Sequence, residues 1–479
     1  MDKKLKNNII YQILYQLVVL VIPFILNPYL VRTLGVSNVG KYAIIYTFVN
    51  YFTLISNLGV EHYGNRLIAV SKLDKNRLNK SFSEIFRIRI CITLIAIISY
   101  YTIVMLFYDR NKYYMIMGGF LFATLLDVNW LCYGLEKFKV NVVRNLIIKL
   151  SMIILILLKI RSENDLFFYM IIMVGLQIFG NLLVFSSCKK GVKFVKGDKD
   201  DYLKHFKGML MLFLPIISIT LYRSIDKTML GVMINSSEVG YYDCAEKIIT
   251  ILCNLLTCIN AVMLPRISNL LAQNKAEKAN SYIDKSLYII IFLSIAVSLG
   301  VCVIANNFIF VYYGAGYDYS GVILKCLAPS ILLLSINNLL RTQIMIPNNL
   351  DKQYTLALLL GLIANLIANM LLIPTHGAIG ASIGTDIAEL TVFIVELYFS
   401  LKVRIEIKNI FIMTIPFYIF GLCMLVVIYI VNSVFKYKPL ITIFMDVFIG
   451  GLVYMVCGLL FYILVLKKKL KMSKNNYEV

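Results

Sequence analysis

Residues 208–231 read "GMLMLFLPIISITLYRSIDKTMLG", and this stretch combines a membrane-spanning pattern with charges that a membrane normally excludes. Its first fourteen residues carry no charge, and the turn that follows holds Arg223, Asp226 and Lys227. A helix of this length rises about 36 Å, which is enough to cross a hydrocarbon core of about 30 Å. The three charges therefore lie on a predicted transmembrane helix and require either a partner or a function.

Apolar runs of this kind recur along the whole chain. The 479 residues are 60% hydrophobic and 15% charged, with a mean hydropathy of +0.80, which is typical of a membrane protein. The sequence predicts an all-α, polytopic protein with fourteen spans. These are 9–31, 42–61, 88–108, 113–133, 145–160, 166–187, 208–231, 242–264, 287–312, 322–346, 354–374, 378–401, 409–432 and 440–466.

The net charge of +21 reflects topology rather than nucleic-acid binding. Lys and Arg lie mainly in alternate loops, such as "KLDKNRLNK" at 72–80 and the basic stretch 189–207. Because positive loops face the cytoplasm, we expect a multi-pass protein of a bacterial cytoplasmic membrane with both termini inside. The first span lacks a small-residue cleavage site and is predicted to be retained. Contact with anionic membrane lipid is a secondary use of the charge, and nucleic acid is not an expected partner.

The sequence carries no recognisable catalytic or metal-binding apparatus. The ten cysteines include no CxxC pair, and the three histidines lie far apart, so the cysteines are interpreted as small core residues and no metal site is predicted. There is no P-loop and no Gly-x-Ser-x-Gly elbow. A transporter that needs no cofactor is therefore favoured over an enzyme.

A short repeat suggests two related bundles. The motif "SNVGKY" at 37–42 returns as "SEVGYY" at 237–242, and each copy follows a proline-interrupted span. The prolines are Pro23 and Pro28 in the first span and Pro215 in the seventh. We expect a lobe at 1–190, a basic linker at 191–207, a second lobe of the same orientation at 208–402, and an appended helix pair with a basic tail at 403–479.

Arg223 is the strongest candidate for a functional side chain. It lies about 22 Å into its span, where a charge costs about 3 kcal/mol or more and normally faces a water-filled interior. A guanidinium can bind phosphate through two parallel hydrogen bonds, so an anionic lipid head group is a suitable ligand. Pairing with Asp226 one turn away is the alternative, and Lys227 is close enough to the span end to snorkel.

Acidic residues within spans form a second set of candidates. Asp386 and Glu389 lie one turn apart in the twelfth span, and Asp127 lies near the end of the fourth. Carboxyl groups in a membrane can bind protons or cations, so coupling to a proton gradient, a sodium gradient or the membrane potential is open. An ion pair with a basic residue such as Arg223 explains the twelfth span equally well.

Four segments together resemble the Wzx-type polysaccharide flippases of the MOP superfamily, whose fold is MATE-like. They are "LVRTLGVSNVGKYAIIYTFVNYFTLISNLGVEHYGNR" (30–66), "DVNWLCYGLEKFKV" (127–140), "YRSIDKTMLGVMINSSEVGYYDCAEKI" (222–248) and "HGAIGASIGTDIAEL" (376–390). The resemblance covers scattered parts of residues 1–400. The fourteen predicted spans also resemble the arrangement of lipid II flippases.

The resemblance implies two six-helix lobes in a V shape that open alternately to either side. The expected cargo is an undecaprenyl-pyrophosphate-linked oligosaccharide destined for O-antigen or capsule, with the polysaccharide polymerase machinery as a candidate partner. A basic cavity is expected to contain Arg223, with Arg32, Arg66 and Arg144 as further candidates, and the proline-bent helices would open and close it. Rival hypotheses are a cation-coupled drug antiporter of MATE type and a membrane-embedded polymerase or glycosyltransferase.

Overall fold

The computed structural model describes residues 3–189, 191–197, 199–403, 415–435, 437–461 and 463, without the side chains of 3–21, 23, 138, 139, 189, 199, 214, 215 and 261. Every regular element in these ranges is helical. The α-helices are α1 Lys3–Asn57, α2 Val60–Ser71, α3 Lys75–Phe107, α4 Lys112–Met117, α5 Gly119–Leu125, α6 Asn129–Gly134, α7 Phe138–Lys159, α8 Leu166–Lys189, α9 Lys199–Met233, α10 Ser236–Ala272, α11 Ala276–Tyr313, α12 Asp318–Leu339, α13 Asp351–Val403, α14 Ile415–Val434 and α15 Pro439–Phe461. Short 3-10 turns lie at Glu163–Asp165 and Ile346–Asn348, and a π-helical segment lies at Leu340–Met345.

The predicted class, an all-helical protein with many membrane spans, is confirmed. The described residues contain 11 helices that are long and apolar enough to cross a membrane, or 12 if the bent α9 is one span. The fourteen spans expected from sequence exceed this count for one reason visible in the fold. Two long helices each cover two of the expected spans.

Each of these long helices is two helices joined at a glycine. α1 has 55 residues and leaves helical geometry at Gly35 (φ 77°, ψ 160°), and α13 has 53 residues and does so at Gly377 (φ 54°, ψ −131°). A straight helix of 53 residues would be about 80 Å long, more than twice the hydrocarbon thickness. The break at Gly377 supports two crossings by α13, and the total of fourteen stays a prediction.

The described chain forms two compact units, Met1–Gly240 and Tyr241–Val479. In the first unit, α9 packs against α1, α2 and α3. Close approach at glycines explains this: a β-carbon on Gly59 would lie 2.6 Å from the Met209 carbonyl oxygen, and one on Gly208 would lie 2.4 Å from the Tyr63 ring. The lobe boundaries expected from sequence stay a prediction, and residues 404–414 and 464–479 of the expected appended segment lie outside the described residues.

An aromatic core, which we call the Trp130 core, lies where α2, α3 and α6 meet in the first unit. Trp130 is 1% exposed and stacks on Phe82 with ring centroids 5.7 Å apart. The expected linker joins this core, because Phe194 packs against Phe82 and Phe86. Backbone groups of 191–197 also bond to the start of α3, so this part of the linker is held against the first unit.

Residues 36–40 and 236–240, at the two copies of the repeated motif, lie against each other within the first unit. A β-carbon on Gly40 would stand 1.7 Å from the carbonyl oxygen of Ser236, and one on Gly240 would stand 2.1 Å from that of Val36. The hydroxyl groups of Ser37 and Ser236 are 3.2 Å apart and share a hydrogen bond. The contact is reciprocal, as expected of two related segments that cross.

The second unit is built on α11, which packs along α12. Ile283, Ile290 and Leu339 belong to its buried core. The helices of the expected appended pair, α14 and α15, pack against each other and against α11. The Tyr454 hydroxyl donates to the Phe292 carbonyl oxygen at 2.9 Å, which ties α15 to α11.

One cysteine interpretation requires correction. Cys132 and Cys188 form a disulfide that joins the ends of α6 and α8, although they lie 56 residues apart and were interpreted as isolated core residues. Helix packing brings together two positions that the linear spacing does not connect.

We expect Gly40→Ala to destabilise the protein, because the new methyl group would overlap backbone atoms that cannot rotate away. Overpacking of this kind costs about 1–3 kcal/mol. Thermal unfolding of the purified protein in detergent should show a lowered Tm. Gly175→Ala is the matched control, since a β-carbon there meets nothing within 4 Å. An unchanged Tm for Gly40→Ala would contradict the observed close approach.

Candidate functional site

The charged turn of α9 is presented by a helix that is fixed against α1. The Tyr51 and Thr228 hydroxyl groups share a hydrogen bond of 2.7 Å, and Gly231 packs against Ile44. Ser224 and Thr228 donate to carbonyl oxygens one turn back, so their hydroxyl groups are satisfied within the helix.

The three charges of this turn have different surroundings. Arg223 is exposed, Lys227 is half-buried and Asp226 is only 3% exposed. No ion pair or hydrogen bond joins Arg223 to Asp226 within the described part of the chain. Lys227 lies within electrostatic reach of Tyr46 on α1. The guanidinium of Arg223 is therefore available for a ligand.

The other predicted arginines are spread over three helices. Arg32 on α1 and Arg66 on α2 are exposed. Arg144 on α7 is half-buried and donates to the side-chain oxygens of Asn145 at 2.9 Å and Asn181 at 3.2 Å. Since these contacts already orient Arg144, its role as a substrate ligand is a separate proposal from that of Arg223.

The predicted carboxyl groups of α13 lie in the second unit. Glu389 is 3% exposed and accepts a hydrogen bond from the Asn337 amide at 2.8 Å. One Asp386 carboxylate oxygen is buried without a hydrogen-bond partner among the described residues. Sequence reasoning missed Glu396, two turns further along α13, which is 0% exposed with neither carboxylate oxygen bonded. Its spacing of seven from Glu389 was the available signal.

The third predicted acid, Asp127, is paired with an arginine that sequence reasoning missed. Arg89 is 1% exposed and donates to Asp127 at 3.1 Å and to the Asn57 side-chain oxygen at 2.8 Å. Arg89 lies at the edge of its predicted span, where positive charge is expected for topology. Because a charge at that position already has an explanation in topology, the sequence did not indicate that Arg89 is buried.

A second missed network joins α2, α3 and α9. The Tyr63 hydroxyl lies 2.8 Å from His205 Nδ1, and His205 Nε2 lies 3.0 Å from Glu84. Glu84 and His205 are both buried. The described residues contain no cluster of three or more His, Cys, Asp or Glu side chains suited to a metal ion.

The proposed gating prolines are only partly described. The side chains of Pro23 and Pro215 lie outside the described residues, and Pro28 is half-buried. α9 bends by 44° between Phe213 and Ile216, next to Pro215, where a missing backbone N–H weakens the helix. In α1 the described break lies at Gly35 instead.

A model of one protein family, described as "Polysaccharide biosynthesis protein", matches residues 5–271. The chain belongs to this polysaccharide biosynthesis family. The expected membership is thereby confirmed, as is the expectation of a transporter rather than an enzyme, which sets aside the polymerase and glycosyltransferase hypothesis. The protein is a multi-pass membrane protein of the flippase kind.

Relatives agree with this assignment. The chain is 24% identical over 384 residues to a candidate O-antigen transporter of Escherichia coli K12, covering 79% of this chain and 92% of that protein. It is 21% identical over 243 residues to a glycan biosynthesis flippase, named as probable, of Haloferax volcanii, covering 50% of each chain.

Solved structures show the fold. The lipid II flippase MurJ in an inward closed conformation superposes with a TM-score of 0.73 at 17% identity, covering 94% of this chain and 99% of that one. An inward-facing MATE transporter of the MOP superfamily superposes with a TM-score of 0.63 at 14% identity, covering 83% and 95%. The predicted MATE-like fold is confirmed.

We expect Arg89→Met to destabilise the first unit, because it leaves the Asp127 carboxylate without its ionic partner. Breaking a fully buried pair from one side costs about 3 kcal/mol, and this pair, with its carboxylate 23% exposed, should cost less than that but more than an exposed pair. Lys72→Met is the matched control, since Lys72 pairs with Glu136 at an exposed site worth no more than about 1 kcal/mol. Thermal unfolding measures both variants, and equal Tm values for the two would contradict the structural role of Arg89.

Proposed function

We propose that this protein is a flippase that moves an undecaprenyl-pyrophosphate-linked oligosaccharide from the inner to the outer leaflet of a bacterial cytoplasmic membrane. The product would serve surface polysaccharide synthesis, as O-antigen or capsule. One observation carries the proposal: Arg223 holds an exposed guanidinium, without an ion pair to a described residue, within an apolar span. The names of the relatives give independent support for a glycan cargo.

The chemistry of Arg223 suits a pyrophosphate. Its planar guanidinium donates two parallel hydrogen bonds to phosphate oxygens and keeps its charge in poorly solvated surroundings. A buried or lipid-facing charge without a partner is costly, so evolution retains one where a ligand completes it. The prenyl chain, being apolar, would stay in the hydrocarbon while the head group crosses.

Alternating access gives the proposed mechanism. Opening towards the outer side would require the Gly40–Gly240 contact to separate, because the predicted topology places both motif copies outside. The break at Gly35 lies close to Gly40 in sequence, and the bend of α9 lies within the helix that leads to Gly240; both could absorb the motion. No covalent step is needed, since the cargo leaves with the same bonds it had on entry.

A second candidate, a cation-coupled antiporter, is favoured by one observation in the second unit. Glu389, Glu396 and Asp386 place three carboxyl groups on one helix, and two of them are almost fully buried. Such groups bind protons or cations in membranes. Ion coupling and lipid transport are compatible, so this observation also bears on the energy source of the flippase.

Reconstitution in liposomes tests the proposal. We expect the wild type to move a lipid-pyrophosphate-linked oligosaccharide between leaflets, and Arg223→Ala to lower the initial rate by about tenfold or more, the loss of one charge-assisted contact. Arg223→Lys should be intermediate, because it keeps the charge but loses the paired donors.

The control for this assay is Arg161→Ala, an exposed arginine in the turn before α8. It should leave the rate unchanged, and circular dichroism should show all variants folded. If Arg223→Ala matched the wild type, Arg223 would have no part in the substrate path. If the wild type moved no such lipid, the proposed cargo would be wrong.

A further inference from the structure

A group of polar side chains lies beside the Trp130 core, and the proposed pyrophosphate contact at Arg223 does not use it. Tyr133 on α6 lies within electrostatic reach of Glu61 on α2, Arg144 on α7 and Asp127 before α6. The Asn141 amide lies beside the Tyr133 hydroxyl. We call these five residues the Tyr133 cluster; all belong to the first unit.

Several buried polar atoms without hydrogen bonds to a described residue belong to this cluster or to residues next to it, and others lie in the second unit. Asn141 is 2% exposed, its amide lies next to the Tyr133 hydroxyl, and no other described residue completes its hydrogen bonds. The Asn129 side-chain oxygen and the Trp130 indole nitrogen are also buried and unbonded. Because an unmade hydrogen bond on a buried group costs about 1–3 kcal/mol, such groups are few in native proteins. A ligand or water at this cluster would complete them.

The charges of the cluster decide which ligand fits. Arg144 and the neighbouring Arg89 contribute two positive charges, and Glu61 and Asp127 contribute two negative ones, so the formal sum is zero. A pyrophosphate would have to approach two carboxylates, which repel it. Sugar hydroxyl groups both donate and accept, so they match a mixed set of carboxylates, amides and a guanidinium. The Tyr133 ring adds a surface on which a sugar ring can pack.

Part of the cluster is accessible from outside, and in the predicted topology it lies on the side where loading would occur. Glu61 is exposed, and the Asp127 side chain is 23% exposed, whereas Asn141 is deep. In the predicted topology, Glu61, Asp127 and Arg144 lie at the cytoplasmic ends of three different spans. A ligand entering there would meet Glu61 first and Asn141 last.

We propose that the Tyr133 cluster binds the hydroxyl groups of the sugars in the transported glycan. The inference rests on the proposed function for the nature of the cargo, but the binding site itself is tested without the lipid. Carboxylates of Glu61 and Asp127 accept from sugar hydroxyl groups, Arg144 donates to them, and the Asn141 amide both donates and accepts at the base of the site.

The chain offers a built-in reporter for this test, because Trp130 is its single tryptophan and lies on α6 with Tyr133. The purified full-length protein in detergent is titrated with N,N′-diacetylchitobiose, with maltose and, separately, with sodium pyrophosphate while Trp130 fluorescence is recorded. We expect a saturable change with at least one disaccharide and none with pyrophosphate. No response to either sugar, or a saturable response to pyrophosphate alone, would overturn the proposal.

Variants separate a binding role from a structural one. Glu61→Gln and Asn141→Leu should each raise the half-saturating sugar concentration by about tenfold, as expected for a lost hydrogen bond to a ligand. If Asn141 were merely an unsatisfied core residue, Asn141→Leu would leave the titration unchanged. Glu277→Gln, an exposed carboxyl group on α11 of the second unit, is the matched control and should not alter it.

The two proposals fail in different ways. If the wild type moves the lipid-linked glycan in liposomes but Trp130 does not respond to sugar, the flippase proposal stands and the sugar site is wrong. If Trp130 responds to sugar and the response is lost in Glu61→Gln and Asn141→Leu, the site is supported even where no lipid movement is measured, and only the proposed cargo fails.

Discussion

The backbone crossing at Gly40 and Gly240 is the constraint on which the arrangement of α1, α9 and the start of α10 depends. Neither residue has room for a β-carbon, so the two segments are separated by little more than van der Waals contact between main chains. Side chains cannot mediate such a contact, and only glycine permits it. The Tyr51–Thr228 hydrogen bond and the Ile44–Gly231 packing then continue the same approach along α1 and α9.

This kind of contact suits a protein that must close and reopen. Main-chain surfaces at glycines are shape-specific but bury few apolar groups, so they can separate without exposing a large hydrophobic area. A leucine-filled interface of equal size would hold more tightly. If the proposed alternating access is right, the contact at Gly40 and Gly240 closes fully and separates at a low cost in free energy.

Charges within the membrane helices fall into two kinds. Arg89 is completed by Asp127 and Asn57, and Glu389 is completed by Asn337, so these groups have internal partners that balance their desolvation. Arg223 is exposed and makes no such pair with a described residue. The contrast matters because depth alone does not mark function. A charged side chain within a span is a functional candidate when no described side chain pairs with it.

The sequence predicted an all-helical protein with many membrane spans, because apolar runs of about twenty residues indicate burial in lipid directly. It also predicted that the 37–42 and 237–242 motifs are related, and the structure adds that they touch. It could not predict the Tyr63–His205–Glu84 network, whose members lie up to 142 residues apart, or the Cys132–Cys188 pair. Arg89 escaped notice because a charge at a span edge has an ordinary explanation in topology. Long-range pairing depends on how helices pack, and no periodicity in one helix records it.

A head group that combines pyrophosphate with sugars poses a physical problem that two separate sites would solve. A pyrophosphate needs net positive surroundings, and a carboxylate nearby would weaken its binding. Sugar hydroxyl groups need acceptors, and carboxylates are the strongest acceptors available in a protein. A single site would therefore compromise one requirement for the other. If both proposed sites are right, Arg223 on α9 and the Tyr133 cluster on α2, α6 and α7 divide the two tasks between different helices, so that each environment can be optimised without opposing the other.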